Sequence, residues 1–243
     1  MRVYLLEQRQ ADVPAGNDWL CEEEIQSLNA MRFLKRRSDW RLGRWTAKCA
    51  VATCLSLPMS ERALGKIVIR PSASGAPEVH LGTNSPSLTI SLSHRGGTAL
   101  CAVARCGVQL GCDLELVEPQ SDAFITDYFD LEEQAFVARM SGPERPRMVA
   151  LLWSAKESVL KALHEGLRLD TRSITVKPSL GACDLFGWSA FQVRCADGQA
   201  FNGWWRSTSA IVQTVAASPN PEAPISLTLS NYFDEGSSLI RPA

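Results

Sequence analysis

The sequence predicts an α+β fold in which one unit occurs twice in a single chain, a pseudo-twofold duplication. The first observation is a heptapeptide: Trp45-Thr46-Ala47-Lys48-Cys49-Ala50-Val51 returns 108 residues later as Trp153-Ser154-Ala155-Lys156-Glu157-Ser158-Val159. The second is Ile67-Val68-Ile69-Arg70-Pro71-Ser72, which returns 107 residues later as Ile174-Thr175-Val176-Lys177-Pro178-Ser179. A looser third pair is Thr98–Ala104 with Ser209–Ala216. Nearly equal offsets in the same order mark a repeated supersecondary unit. The join falls near Val117-Glu118-Pro119-Gln120-Ser121, giving halves of residues 1–117 and 118–243. A chain of 243 residues is long enough for two small cores.

In the first half, Ser38 and Asp39 read as N-caps of a helix through residues 40–55. Trp40, Ala47, Val51 and Cys54 share its apolar face, while Arg37, Arg41, Arg44 and Lys48 form a basic stripe on another. Gly43, one turn from Trp40, leaves room for close packing. Residues 66–70 read as a strand before a Pro/Ser/Gly turn. Residues 98–104 and 108–116 read as strands joined by a tight turn at Arg105-Cys106-Gly107. In the second half the pattern gives a helix through 148–163 and strands at 173–178, 190–195 and 209–217. The Pro-, Ser- and Asn-rich residues after 217 read as a loosely packed tail.

Composition narrows the function. Lys and Arg number 25 against 26 Asp and Glu, for a net charge of −1. That balance points to neither nucleic acid nor an anionic membrane surface, so any basic site must be a local cluster. The N-terminus lacks the pattern of a signal peptide, and no window offers the roughly 20 apolar residues of a membrane span. The eight cysteines form no C-x-x-C pair, and His80, His94 and His164 do not stand at zinc-ligand spacing from them. Free thiols acting as small hydrophobes, in a reducing cytoplasm, are the expectation.

Three elements carry chemistry. In Gly111-Cys112-Asp113-Leu114-Glu115, strand alternation sends Val108, Leu110, Cys112 and Leu114 to one face and sets Asp113 and Glu115 side by side on the other. Paired carboxylates repel unless a cation sits between them, and hard oxygen donors suit Mg²⁺. Gly111, on the same face, would leave room for a ligand. Alone, a D-x-E is also what a solvated strand end looks like. The second element is Trp153-Ser154-Ala155-Lys156-Glu157-Ser158-Val159-Leu160-Lys161, where Glu157 and Lys161 share a helix face. A surface ion pair explains that spacing equally well; a third metal carboxylate with a phosphate-neutralising ammonium is the functional alternative. The third is Ser91-Leu92-Ser93-His94-Arg95-Gly96-Gly97, a hydroxyl, an imidazole and glycine amides able to cradle a phosphate.

Taken together and in this order, these elements resemble the 4′-phosphopantetheinyl transferase superfamily, in its long single-chain, surfactin-synthetase-activating branch. The signature G-hydrophobic-D-hydrophobic-E, then W-S/T-x-K-E-x-x-x-K, reads here as GCDLE and WSAKESVLK, and the G-R-W-x-A-K helix reads as GRWTAK. The resemblance covers roughly residues 32–175 and implies that the duplicated unit is of the transferase type. It implies transfer of the phosphopantetheine arm of coenzyme A to a serine of an apo acyl or peptidyl carrier protein, with release of 3′,5′-ADP. Asp113, Glu115 and Glu157 would hold Mg²⁺ (or Mn²⁺), and Lys161 would bind the pyrophosphate. Ser93 and His94 would contact the 3′-phosphate region, and Lys48 with Arg36 and Arg37 of the Lys35-Arg36-Arg37 run would complete the grip. Glu157 is the candidate base and Glu133 the weaker alternative.

The chain departs from the branch at Gly75-Ala76-Pro77, where a G-K-P lysine is usual, leaving Arg41 or Arg70 to supply that charge. The aromatic segment Phe124–Phe129 is a carrier-docking candidate, with ordinary core packing as the alternative. A fused repeat implies a monomer. The rival readings are a non-catalytic coenzyme A or carrier binder and a nucleotide- or nucleic-acid-binding protein using the basic stripe.

Overall fold

The computed structural model describes residues 1–82, 85–181 and 183–229. They form two compact units, one comprising residues 4–107 and the segment from 225, the other residues 1–3 and 108–224. The first unit opens with β1 (Tyr4–Arg9), α1 (Glu22–Ala30), α2 (Leu34–Cys54) and α3 (Glu61–Leu64). It continues through β2 (Ile67–Pro71), β3 (Pro77–Leu81), β4 (Leu88–Arg95) and β5 (Thr98–Arg105). Strand β5 runs antiparallel to both β1 and β4, and β2 with β3 makes a separate hairpin.

Helix α2 begins six residues before Trp40, so Ser38 and Asp39 lie inside it and cap nothing. Leu, Lys and Arg at 34–37 are good helix formers, and Asp39 pairs with Lys35 one turn back at 3.3 Å. The expected apolar face holds. Ala47, Val51 and Cys54 are fully buried against Tyr4, Leu6, Ile67 and Val103, with Trp40 at the margin.

The second unit contains β6 (Gln109–Leu116), α4 (Asp122–Tyr128), α5 (Leu131–Ala138), α6 (Glu144–Leu163), β7 (Ile174–Pro178), β8 (Ser189–Cys195), β9 (Ala200–Ser207) and β10 (Ile211–Ser218). Its sheet runs in the order β6-β10-β9-β8-β7, every neighbour antiparallel. Ser121 and Asp130 cap α4 and α5, their side chains accepting from the amides of Phe124 and Glu133. Helix α6 packs across β6 and β10, and its inner face joins Val176, Phe191, Phe201 and Val212 in one core.

Three expectations change. Strands β5 and β6 are consecutive but unpaired, since β6 bonds along its whole length to β10. The break between units therefore follows Gly107, whose φ of +85° makes the turn, ten residues before the expected join. Strand β9 has no clear strand pattern in the sequence, because AFNGWWRS puts a glycine among aromatics. The contact explains it, since a Cβ at Gly203 would lie 2.2 Å from the Phe191 ring. Finally, residues 218–229 are not a loose tail. Trp204 Nε1 donates to the Pro221 carbonyl, β11 (Ile225–Ser226) pairs in parallel with β1, and Leu227 enters the first unit's core. The rest of the expected tail, 230–243, lies outside the described residues.

All eight cysteines are free; five are buried, whereas Cys106 and Cys183 are exposed. Among the described residues no helix is long and apolar enough to cross a membrane.

Candidate active site

Asp113 lies mid-strand in β6 and is 4% exposed. Its Oδ1 accepts from Lys161 Nζ at 2.7 Å, and the same ammonium donates to the Cys112 carbonyl at 3.1 Å. Lys161 reaches there because α6 lies directly on β6. A Cβ at Gly111 would stand 1.7 Å from the Ser158 carbonyl oxygen, so the empty space expected for a ligand is filled by helix backbone. Cys112, on the opposite face, is fully buried as a hydrophobe.

Glu157, one turn before Lys161, is half-buried. Burial raises its carboxyl pKa, the charge of Asp113 raises it further, and Lys161 pulls it back. Burial alone would lower the Lys161 pKa; Asp113 first, then Cys112 and Glu157, more than offset it and hold it raised. Glu115 shares the Asp113 face by alternation and is half-buried. Among the described residues no three His, Cys, Asp or Glu side chains gather closely enough to hold a metal ion. The cation beside Asp113 is Lys161. The donor chemistry still fits a hard divalent ion, because Asp113 and Glu157 repel each other and present only oxygen.

In the first unit, Phe33, Lys35, Arg36, Asp39, Trp40 and His94 line a cleft of about 530 Å³. His94 sits against α2 at Gly43, whose added Cβ would touch its ring at 3.9 Å. Ser93 and His94 belong to the end of β4 rather than to a turn, so they point to opposite faces, Ser93 buried and His94 exposed. Arg37 is half-buried and outside the cleft lining.

Two predicted site residues leave the set. Lys48 has no exposed surface; its ammonium donates to the carbonyls of Trp19 (2.9 Å) and Leu64 (3.2 Å) and pairs with Glu24 at 2.5 Å. A phosphate has no approach to it. Glu133, 2% exposed, accepts from the amides of Asp130 and Val176 and pairs with Lys156 at 2.7 Å. It cannot meet a substrate hydroxyl as a base. Burial explains both corrections, because a buried charge persists only when fully paired and hydrogen-bonded.

The substitutes for the missing G-K-P lysine are committed elsewhere too. Arg41 donates to the carbonyls of Pro14, Ala15 and Gly16, and Arg70 pairs with Glu23 at 2.7 Å. The basic stripe is therefore largely structural, for Arg44 lies over Trp40 and faces Glu24 at 3.8 Å. In the aromatic segment, Phe129 is fully buried, while Phe124 and Tyr128 are half-buried and edge against Trp153 at 5.2 and 4.9 Å. Sequence reasoning missed Glu24, although it precedes Glu133 by nearly the repeat offset.

Residues 109–210 match the family model described as the 4′-phosphopantetheinyl transferase superfamily. That span runs from β6 to the residue before β10 and holds Asp113, Glu115, Glu133, Glu157 and Lys161. No curated protein matches the chain. Among solved structures, holo-(acyl-carrier-protein) synthase (AcpS) of Helicobacter pylori, in complex with coenzyme A, is similar at 19% identity and a TM-score of 0.30. The alignment covers 42% of this chain and 98% of that one.

Proposed function

We propose that this protein is a 4′-phosphopantetheinyl transferase, moving the phosphopantetheine arm of coenzyme A to a serine of an apo carrier protein. The observation that carries the reading is the meeting of Lys161 with Asp113 at 2.7 Å beside Glu157, inside the span that matches the superfamily. These are the residues of GCDLE and WSAKESVLK, and the fold draws them from strand and helix into one group.

In the proposed reaction the carrier serine Oγ forms a bond to the β-phosphorus of coenzyme A. The bond from that phosphorus to the bridging oxygen breaks, and 3′,5′-ADP departs with the electron pair. Glu157, one helical turn before Lys161, takes the serine proton. Lys161 neutralises charge growing on the leaving pyrophosphate oxygen, which calls on position and charge rather than covalent chemistry. Asp113 and Glu157, with Glu115, would hold Mg²⁺ or Mn²⁺, which supplies further charge neutralisation when bound. Arg36 and His94, with Lys35, are the cleft residues proposed to contact the nucleotide's phosphates.

The long single-chain branch is the proposed subtype, with the two units as copies of one ancestral fold acting as a monomer in the cytoplasm. Its support is the repeated sequence and the matching buried lysine–glutamate pairs of the two units. The carrier would dock at the half-buried Phe124 and Tyr128.

Intact-protein mass spectrometry of an apo carrier incubated with the protein, coenzyme A and Mg²⁺ tests this. The expected result is a gain of one phosphopantetheinyl group, abolished by chelator and lowered about 100-fold or more in rate by Asp113→Ala or Glu157→Ala. No gain with fatty-acid, polyketide and peptide carriers, while coenzyme A still binds, would replace transfer with a non-catalytic binding role.

A further inference from the structure

Strand β10 carries a threonine in the middle of a run that is otherwise apolar on that face. Thr214 stands directly opposite Asp113 in the β6–β10 register, so their side chains share the face beneath α6. It has no exposed surface, and neither do Ser154 and Ser158 above it on α6. A buried hydroxyl without partners bears its full desolvation penalty, so the disposition of these three decides whether they burden the fold or define it.

They are fully engaged. Thr214 Oγ1 donates to the Ser154 carbonyl at 2.9 Å, and its lone pairs face the hydroxyls of Ser154 at 2.9 Å and Ser158 at 2.6 Å. Ser158 Oγ also lies 3.3 Å from the Thr214 carbonyl. One side chain therefore ties two successive turns of α6 to the strand that borders Asp113. Immediately alongside, Gly111 lets the Ser158 carbonyl descend to a distance no Cβ would permit. The glycine sets how closely helix and sheet approach; the hydroxyls fix where along its axis the helix stops. An apolar contact would not do the second job, because dispersion is nondirectional and tolerates sliding.

The two turns so fixed, 154–161, are those that carry Glu157 and Lys161. Sliding α6 by one residue would move its side chains about 1.5 Å along the axis and turn them by about 100°. Lys161 would then lose Asp113, and Glu157 would face elsewhere.

We propose that Thr214 is a positioning residue for the Asp113, Glu157 and Lys161 group, an inference that rests on the transferase reading of that group. Its hydroxyl is engaged by Ser154 and Ser158, and it holds the helix at the register where the two oxygen donors on different elements come together. Outer groups that orient metal ligands typically govern affinity by about 10–100-fold, and Thr214 acts one step further out, so about tenfold is expected.

The test is Mn²⁺ binding by the full chain, followed through the paramagnetic resonance of free Mn²⁺ with no carrier present. Thr214→Val keeps the shape and removes the hydroxyl; it should weaken Mn²⁺ binding about tenfold while leaving far-UV circular dichroism unchanged. Thr214→Ser keeps the hydroxyl and loses only a methyl, and should stay within about twofold of the parent even if its melting temperature drops. A merely structural threonine would lower stability in both variants without separating them in affinity. Parent-like Mn²⁺ binding by folded Thr214→Val overturns the proposal. Should that variant fail to fold, Ser158→Ala, which removes only one hydroxyl, should weaken binding by about threefold, and parent-like affinity there overturns it instead. If the parent protein neither binds Mn²⁺ nor modifies a carrier, the transferase reading falls, and this inference with it.

Discussion

In the first unit Lys48 donates to the carbonyls of Trp19 and Leu64 and pairs with Glu24; in the second Lys156 donates to those of Thr171 and Ile174 and pairs with Glu133. Each glutamate also accepts from the N-cap amide of its own helix, Cys21 or Asp130, and from a strand amide, Ile69 or Val176. One carboxylate thus closes a helix, blocks a strand edge and neutralises a lysine, twice over. The units part company one residue further on. Cys49 is buried, its thiol pushed up to about 12, whereas Glu157 is a half-buried carboxylate near Asp113. Below α2, Leu6 stands opposite Cys101 in an apolar core; below α6, Asp113 stands opposite Thr214. The lysine of each W-S/T-A-K run is held within the scaffold, and the position after it carries a carboxylate in the second unit and a thiol in the first.

The comparison breaks first on the two lysines. Lys156→Met leaves Glu133 buried with no cation and should cost about 3–5 kcal/mol in urea unfolding. Lys48→Met should cost less, by about 1 kcal/mol, because Arg44 still faces Glu24 at 3.8 Å. Equal losses would mean that Arg44 carries none of the load. Loss of transfer by Lys48→Met in protein that remains folded would return Lys48 to the phosphate site.

Two glycines sharpen it next. Gly111→Ala drives a Cβ into the Ser158 carbonyl and should destabilise by about 1–3 kcal/mol while displacing α6. Gly43→Ala, with only the His94 ring nearby at 3.9 Å, should gain up to about 1 kcal/mol from helix propensity. Thermal melts of the two variants moving in opposite directions is the expected result. A loss at Gly43 would mean that α2 and β4 are closer in solution than this contact allows.

Much of this was legible in the sequence. Period-3.6 patterns found α2 and α6, alternation found β2, β5, β6, β7, β8 and β10, and the repeat paired Lys48 with Lys156. The misses share a cause. Lys48 and Glu133 look like site residues in the sequence because a charge in a motif reads as available until its burial is known, and periodicity cannot say that a polar face is covered. The role of Gly111 was inverted for the same reason: a glycine announces space but not what fills it. Thr214 gave no signal at all, since its meaning lies in two serines some 60 residues away in sequence.

The last expected effect is on pH dependence. Burial raises the Glu133 carboxyl to about 7, against the pull of Lys156 and of the Val176 and Asp130 amides. Its folded pKa thus lies above the ordinary carboxylate value, so between about 4.5 and 7 the folded state binds more protons than the unfolded one. Stability from this group is fully present below that window and is lost as pH rises through it, at no more than about 1.4 kcal/mol per pH unit. Glu133→Gln removes the titration, so unfolding free energies measured at pH 5 and pH 7 should differ less in the variant than in the parent. The same difference in both would mean that Lys156 and the two amides keep Glu133 ionised throughout, making the second pair a permanent ion pair rather than one that takes up a proton.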